Sequence, residues 1–289
     1  MSRPILAICH LSAVSERDGA AILRDVSLDV ARGETRGLVG ESGAGKSTIA
    51  KAILGILPRT VRITGGEVCF EGENLLAMAP PRLRRLIGET VALIPQDPMT
   101  ALNPSRKIEA QLTDGPRLWR GLDAQAARAL ALRGLEEVHI RDPERVLRSY
   151  PHELSGGMRQ RVLIAAAFAL EPKLIVADEP TTALDVTVQK QILRLIRAMQ
   201  STHGTAVIFV THDLGVVAQI CDKVTLLFGG RVVEEGDVAQ MMEAPRHPYA
   251  QALLAACPRY DRPDVGLKPI PDGVIAELRA ELARKSATP

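Results

Sequence analysis

The chain predicts an α/β fold, a parallel sheet with helices on both faces, interrupted by a helical insertion. Three observations carry this reading. A glycine-rich phosphate-binding pattern stands between a short apolar run and a helix. Apolar runs alternate with helical patterns from Lys173 to Phe228. Residues 97–170 carry mainly helical periodicity. Strand–helix alternation makes consecutive strands parallel, because each helix returns the chain to the same end of the sheet.

Taken in order, Ile5–Leu11 and Ile22–Val30 read as strands, and Gly37–Val39 leads into the phosphate pattern. Gly65-Gly66 precedes a strand expected at Glu67–Phe70. A short helical piece after Pro80-Pro81 precedes a strand expected at Val91–Ile94. Helical spacing runs from Ile108 to Glu137, with Asp123 as the N-cap of the Ala-rich run Ala124–Val138. Gly156–Leu170 reads as another helix. Then come an expected strand Lys173–Ala177, helix Val186–Gln200, strand Ala206–Val210, helix Leu214–Ile220 and strand Lys223–Phe228. Gly229-Gly230 turns this last strand into a hairpin with Arg231–Glu235. The tail from Asp237 is helical and punctuated by prolines.

The pattern Gly40-Glu41-Ser42-Gly43-Ala44-Gly45-Lys46-Ser47, running on into Thr48, fits G-x-x-x-x-G-K-[ST]. Ile49, Ala52, Ile53 and Ile56 continue it at helical spacing. Glycines let the backbone wrap a phosphate chain with its N–H groups turned inward, and the helix dipole adds positive potential there. Lys46 is placed to reach the β- and γ-phosphates, and the Ser47 hydroxyl to ligate Mg2+. Leu174-Ile175-Val176-Ala177 is an apolar run that ends in Asp178-Glu179, carboxylates at the strand edge where open α/β sheets bind ligands. Asp178 would hold Mg2+ opposite Ser47, and Glu179 would accept a proton from attacking water. Leu154-Ser155-Gly156-Gly157-Met158 reads either as a serine-capped helix start or as a second anion-binding element.

Composition sets bounds. The 289 residues are 46% apolar, enough for a large core or two lobes. A formal charge of +2 with mixed signs argues against a dedicated nucleic-acid surface, and Arg82, Arg84 and Arg85 read as a solvated helix face. Cys9, Cys69, Cys221 and Cys257 lack paired spacing and are expected to be reduced, buried thiols. The N-terminus shows no secretory signal pattern, and Val162–Leu170, the longest apolar stretch, is too short to cross a bilayer.

These motifs together resemble the ATP-binding subunit of an ATP-binding-cassette (ABC) transporter, over nearly all of residues 1–258. The resemblance rests on Gly40–Ser47, Gln96 within Ile94-Pro95-Gln96-Asp97-Pro98, Leu154–Met158, Asp178-Glu179, Ala183-Leu184-Asp185 and His212 within Thr211-His212-Asp213. The wording of Asp97–Pro104, Tyr150–Leu154, Thr181–Val186 and His247-Pro248-Tyr249 resembles the oligopeptide/dipeptide/nickel importer branch. The resemblance implies an ABC nucleotide-binding domain: a RecA-like P-loop core, an antiparallel β subdomain and an inserted helical subdomain at about 97–170, with a C-terminal extension at 259–289. It implies two cassettes pairing head to tail around two ATP and Mg2+. One chain would supply the phosphate loop, Asp178, Glu179, Gln96 and His212, and its partner would supply Ser155, Gly156 and Gly157. Glu179, His212 and Gln96 would then be the catalytic set, Ser47, Gln96 and Asp178 the metal set, and Asp185 would lie on the dimer seam. Implied partners are a second ATP-binding subunit, two multi-spanning permease subunits and, indirectly, an external solute-binding protein, with no nucleic acid. The implied place is the cytoplasmic face of the inner membrane, peripherally bound.

Three departures from the family pattern matter. No Phe, Tyr or Trp precedes Phe70, so Val14, Ser15 or Ile22 must line the place where an aromatic residue usually stacks on adenine. Met158 replaces a common Gln. Cys257 is the only cysteine after Cys221, so no four-thiolate iron–sulfur site is expected in the tail, where a helix is expected from Gly273 to Arg284. Two other readings are a soluble DNA-repair or translation cassette and a scaffold ATPase of a phosphonate-breakdown complex. The first would call for coiled coils, tandem cassettes or strongly basic patches, which the sequence lacks.

Overall fold

The computed structural model describes residues 3–182 and 184–256, with Gly273, Ile275, Ala276, Leu278 and Ala280. β1 (Leu6–Ser15), β2 (Ala21–Val30) and β3 (Thr35–Gly40) lead into α1 (Lys46–Ile53). β4 (Val61–Phe70), β5 (Glu73–Asn74), α2 (Pro80–Thr90) and β6 (Val91–Ile94) follow. Next come five helices: α3 (Pro98–Ala101), α4 (Ile108–Arg120), α5 (Ala124–Glu137), α6 (Pro143–Arg148) and α7 (Gly156–Phe168). β7 (Leu174–Asp178), α8 (Val186–His203), β8 (Ala206–Thr211), α9 (Leu214–Ile220), β9 (Lys223–Phe228) and β10 (Arg231–Asp237) restore the alternation, before α10 (Val238–Glu243) and α11 (Pro248–Ala256).

One sheet has the order β10-β9-β3-β8-β7-β6, parallel except for β10. Its central strands read as continuous apolar runs because both faces are covered. Along β7, Leu174 and Val176 face one core, while Ile175 and Ala177 face the other. Helices α7, α8 and α9 cover the second face. On the first face lies the antiparallel β subdomain that the resemblance implies, where strand alternation alone predicts helices. There α1 shares the cover with a separate antiparallel sheet, ordered β2-β1-β4-β5. Strand alternation alone does not reveal this, because a half-buried antiparallel strand satisfies the same apolar face as a helix would.

Boundaries moved where local chemistry intervened. β4 starts at Val61, six residues before the expected Glu67, and passes through Gly65-Gly66. Its register with β1 shifts between Cys9 and Ser12. Gly66, at φ +88°, slides past His10, whose carbonyl oxygen would lie 2.4 Å from a Cβ there. The long helical pattern from Ile108 breaks at Gly121, which takes φ +64° and caps α4. Asp97 and Asp142 each accept an N-cap hydrogen bond ahead of a proline, which starts α3 and α6. The arginines of α2 are solvated, with Arg82 paired to Glu73 and Arg85 to Glu89. Cys221 at the end of α9 is only half-buried, and the expectation of buried thiols fails further at Cys9, which is exposed, and at Cys69, which is half-buried. Cys9 and Cys69 lie on outward positions of the antiparallel sheet. Cys257 lies outside the described residues. Among the described residues no helix is long and apolar enough to cross a membrane.

Candidate nucleotide site

The site forms at the C-terminal ends of the parallel strands, where the phosphate loop, Gln96, Glu179 and His212 line one pocket of about 740 Å³. Fully buried β3 delivers Gly40 to the loop start. Gly45 takes φ +99° and meets Leu23 so closely that a Cβ would lie 2.5 Å from its Cδ2, so only glycine fits ahead of α1. Ser42, Gly43 and Ser47 are exposed along the loop, while Ala44, Gly45 and Lys46 are buried. Lys46 Nζ donates to the carbonyls of Gly40 at 2.6 Å and Glu41 at 2.8 Å. Burial lowers the Lys46 pKa, opposed by the charges of Glu179, Asp178 and Glu41.

Glu179 is the meeting point. It follows β7 with φ +45°, a left-handed backbone that costs a non-glycine residue on the order of 1–3 kcal/mol. Its N–H donates to the Val210 carbonyl at 2.9 Å, which ties it to β8. Its carboxylate accepts from Gln96 Nε2 at 3.2 Å and from the Thr182 hydroxyl at 3.0 Å, and lies 3.3 Å from His212 Nδ1. Thr182 is a partner that motif reading did not single out, although it stands three residues after Glu179. Asp178 ends β7 half-buried, and burial followed by the Glu179 charge pushes its carboxyl above the usual carboxylate range. A carboxylate held at that cost fits a site built for a cation, and the oxygen donors of Ser47, Gln96 and Asp178 suit a hard divalent ion.

Ser155 caps α7 by accepting from the Met158 N–H at 3.3 Å. Neither it nor Gly156 nor Gly157 lines the pocket of its own chain. Asp185 caps α8, accepting from Thr187 and Val188. Of the three residues expected near the base, Ile22 lines the pocket and Val14 and Ser15 do not. Leu253 of α11 also lines it, which the motif analysis missed because α11 is far along the chain.

The ABC transporter family model matches residues 23–182, and the model for the oligopeptide/dipeptide transporter C-terminal region matches residues 233–281. The chain belongs to the ABC transporter family. It is 47% identical to the "Probable D,D-dipeptide transport ATP-binding protein DdpD" of Escherichia coli (strain K12), over 95% of this chain and 84% of that one. It is 42% identical to the dipeptide transport ATP-binding protein DppD of Bacillus subtilis (strain 168), over 93% of this chain and 80% of that one. The fold also matches the ATP-binding cassette MJ0796, solved as a dimer in a post-hydrolysis state with ADP and Pi. There the TM-score is 0.71 at 27% identity, covering 81% of this chain and 98% of that one. As an ABC cassette this chain is an ATP-binding ATPase of transport, with the mixed parallel and antiparallel α/β architecture of that family.

Proposed function

We propose that this chain is the ATP-hydrolysing motor subunit of a membrane importer for peptides, nickel or a related small solute. The single observation that carries the mechanism is the convergence of Gln96, Thr182 and His212 on the Glu179 carboxylate at the mouth of the phosphate-loop pocket. Peptide cargo is favoured by the relatives named above and by the matched oligopeptide/dipeptide C-terminal region.

In this reading residues 1–258 form the cassette, with the helical insertion at 97–170, and 259–289 form an extension. Glycines Gly40, Gly43 and Gly45 let the loop from Glu41 to Thr48 wrap the triphosphate. Lys46 exchanges its loop carbonyls for the phosphates. Ser47, Asp178 and Gln96 would hold Mg2+, which neutralises charge that develops on the phosphates. Glu179 accepts the proton of the attacking water, and His212 orients that water and the γ-phosphate. A second cassette supplies Ser155, Gly156 and Gly157 across the seam, which accounts for their absence from this chain's own pocket. Two permease subunits anchor the pair to the cytoplasmic face of the membrane, and an external solute-binding protein delivers cargo.

Affinity purification of the tagged chain from its native membranes tests this. Two multi-spanning membrane proteins should co-purify, and peptide-loaded binding protein should stimulate hydrolysis in the reconstituted assembly. Recovery with soluble enzymes or nucleic acid instead would overturn the transport reading.

A further inference from the structure

Tyr249, on α11, is fully buried. Its ring packs edge-on against Phe228 with centroids 4.9 Å apart. It shares a core cluster with Val39, the residue before Gly40, and with Leu214, two residues after His212. One helical turn further on, Leu253 reaches the nucleotide pocket. Among the described residues, the buried Tyr249 hydroxyl has no hydrogen-bond partner. It stands beside the backbone of Glu41; burial first and the Glu41 charge second push its ionisation upward, and the nearby Glu41 backbone opposes them. A buried hydroxyl left unpaired is costly, and such a group calls for an explanation.

The neighbouring peptide supplies one. The Gly40–Glu41 peptide presents its carbonyl to the Lys46 ammonium at 2.6 Å, and the next carbonyl, that of Glu41, takes the same ammonium at 2.8 Å. When Lys46 turns to a phosphate chain, both carbonyls lose that partner and the loop loses its internal brace. We infer that Tyr249 is a positioning residue for the phosphate loop: its hydroxyl accepts the Glu41 N–H in the nucleotide-bound loop and holds that peptide in place. The unpaired hydroxyl is then satisfied only when nucleotide binds, so α11 reports on the state of the loop. The inference rests on the nucleotide reading of the pocket.

Tyr249→Phe in the full-length chain keeps the ring and removes only the oxygen. ATP affinity is measured by calorimetric titration, and the thermal midpoint is measured without nucleotide. Binding should weaken about fivefold, the worth of one net hydrogen bond. The KM for ATP should rise by a similar factor with kcat unchanged. The midpoint should hold or rise, because an unpaired buried group has gone. Unchanged affinity overturns the inference. So does a fall in the midpoint alongside the affinity, which would make Tyr249 a packing residue only. Failure of the wild-type chain to bind ATP would instead remove the nucleotide reading, and this inference with it.

Discussion

Glu179 Oε1 and His212 Nδ1 face each other at 3.3 Å across the nucleotide pocket. The two residues follow adjacent strands whose register pairs Asp178 with Val210. The distance is therefore set by the parallel ladder and not by loop conformation. The left-handed backbone of Glu179 aims its carboxylate back into the pocket, where Gln96 and Thr182 also reach it. Strain held at such a point is consistent with a side chain pre-set for reaction.

Glu179→Gln should lower ATP turnover by roughly 10² to 10⁴, the usual worth of a general base, while ATP binding persists through Lys46. Lys46→Ala should instead lose binding. Single-turnover hydrolysis and equilibrium titration separate the two effects. Near-normal turnover in Glu179→Gln would reassign the base.

Ser155→Arg places a bulky cation at the start of α7, away from the pocket of its own chain. ATP binding to the monomer should stay within about twofold of wild type, since a surface change far from a ligand costs little. Dimer closure and hydrolysis should be lost. Light scattering with and without ATP reads the pairing. A loss of monomer binding as large as that of Lys46→Ala would refute a shared site.

Asp178 carries a pH prediction. Its folded pKa is raised, so the native state binds more protons than the unfolded state between the ordinary carboxylate pKa of 3.8 and the raised value. Stability from this group is complete below that window and is lost as pH rises through it. Asp178→Asn should therefore raise the thermal midpoint of the nucleotide-free protein at neutral pH, and the gain should shrink in acid. The same variant should lose its dependence of ATP binding on Mg2+. A midpoint gain independent of pH would assign the effect to packing.

Most of the parallel core was legible because its chemistry is local. The Gly40–Ser47 loop, the apolar run into Asp178-Glu179 and the cap at Asp123 each announce themselves within a few residues. What stayed hidden was the packing of distant segments. Thr182 on Glu179 and Leu253 in the pocket depend on contacts that no spacing rule encodes. The register shift that lets β4 run through Gly66 depends on its partner strand. Of the helix expected from Gly273 to Arg284, Val274 and Leu282 lie outside the described residues, while Leu278 is buried in one core cluster with Tyr249.

The segment Pro98–Pro104 follows Gln96 and joins the sheet to the insertion, and its two prolines and Asn103 restrain it. It contains a helical turn, α3, and its two large apolar side chains part company. Met99 is 59% exposed, with its sulfur against the Arg159 guanidinium of α7. Leu102 is buried in the core of the insertion. Met99→Glu should therefore leave basal ATP hydrolysis nearly intact, since surface changes usually stay within about 0.5 kcal/mol of wild type. It should nevertheless impair solute-stimulated hydrolysis and transport, because the exposed apolar surface next to Gln96 would be lost. Leu102→Ala should act by another route. It should cost about 2–5 kcal/mol of stability by opening a cavity, and should lower both activities together. Reconstituted transport, basal hydrolysis and the thermal midpoint, measured on both variants, decide it. Equal loss of basal and stimulated activity in Met99→Glu, with a lowered midpoint, would show that this surface supports the fold and does not receive a partner.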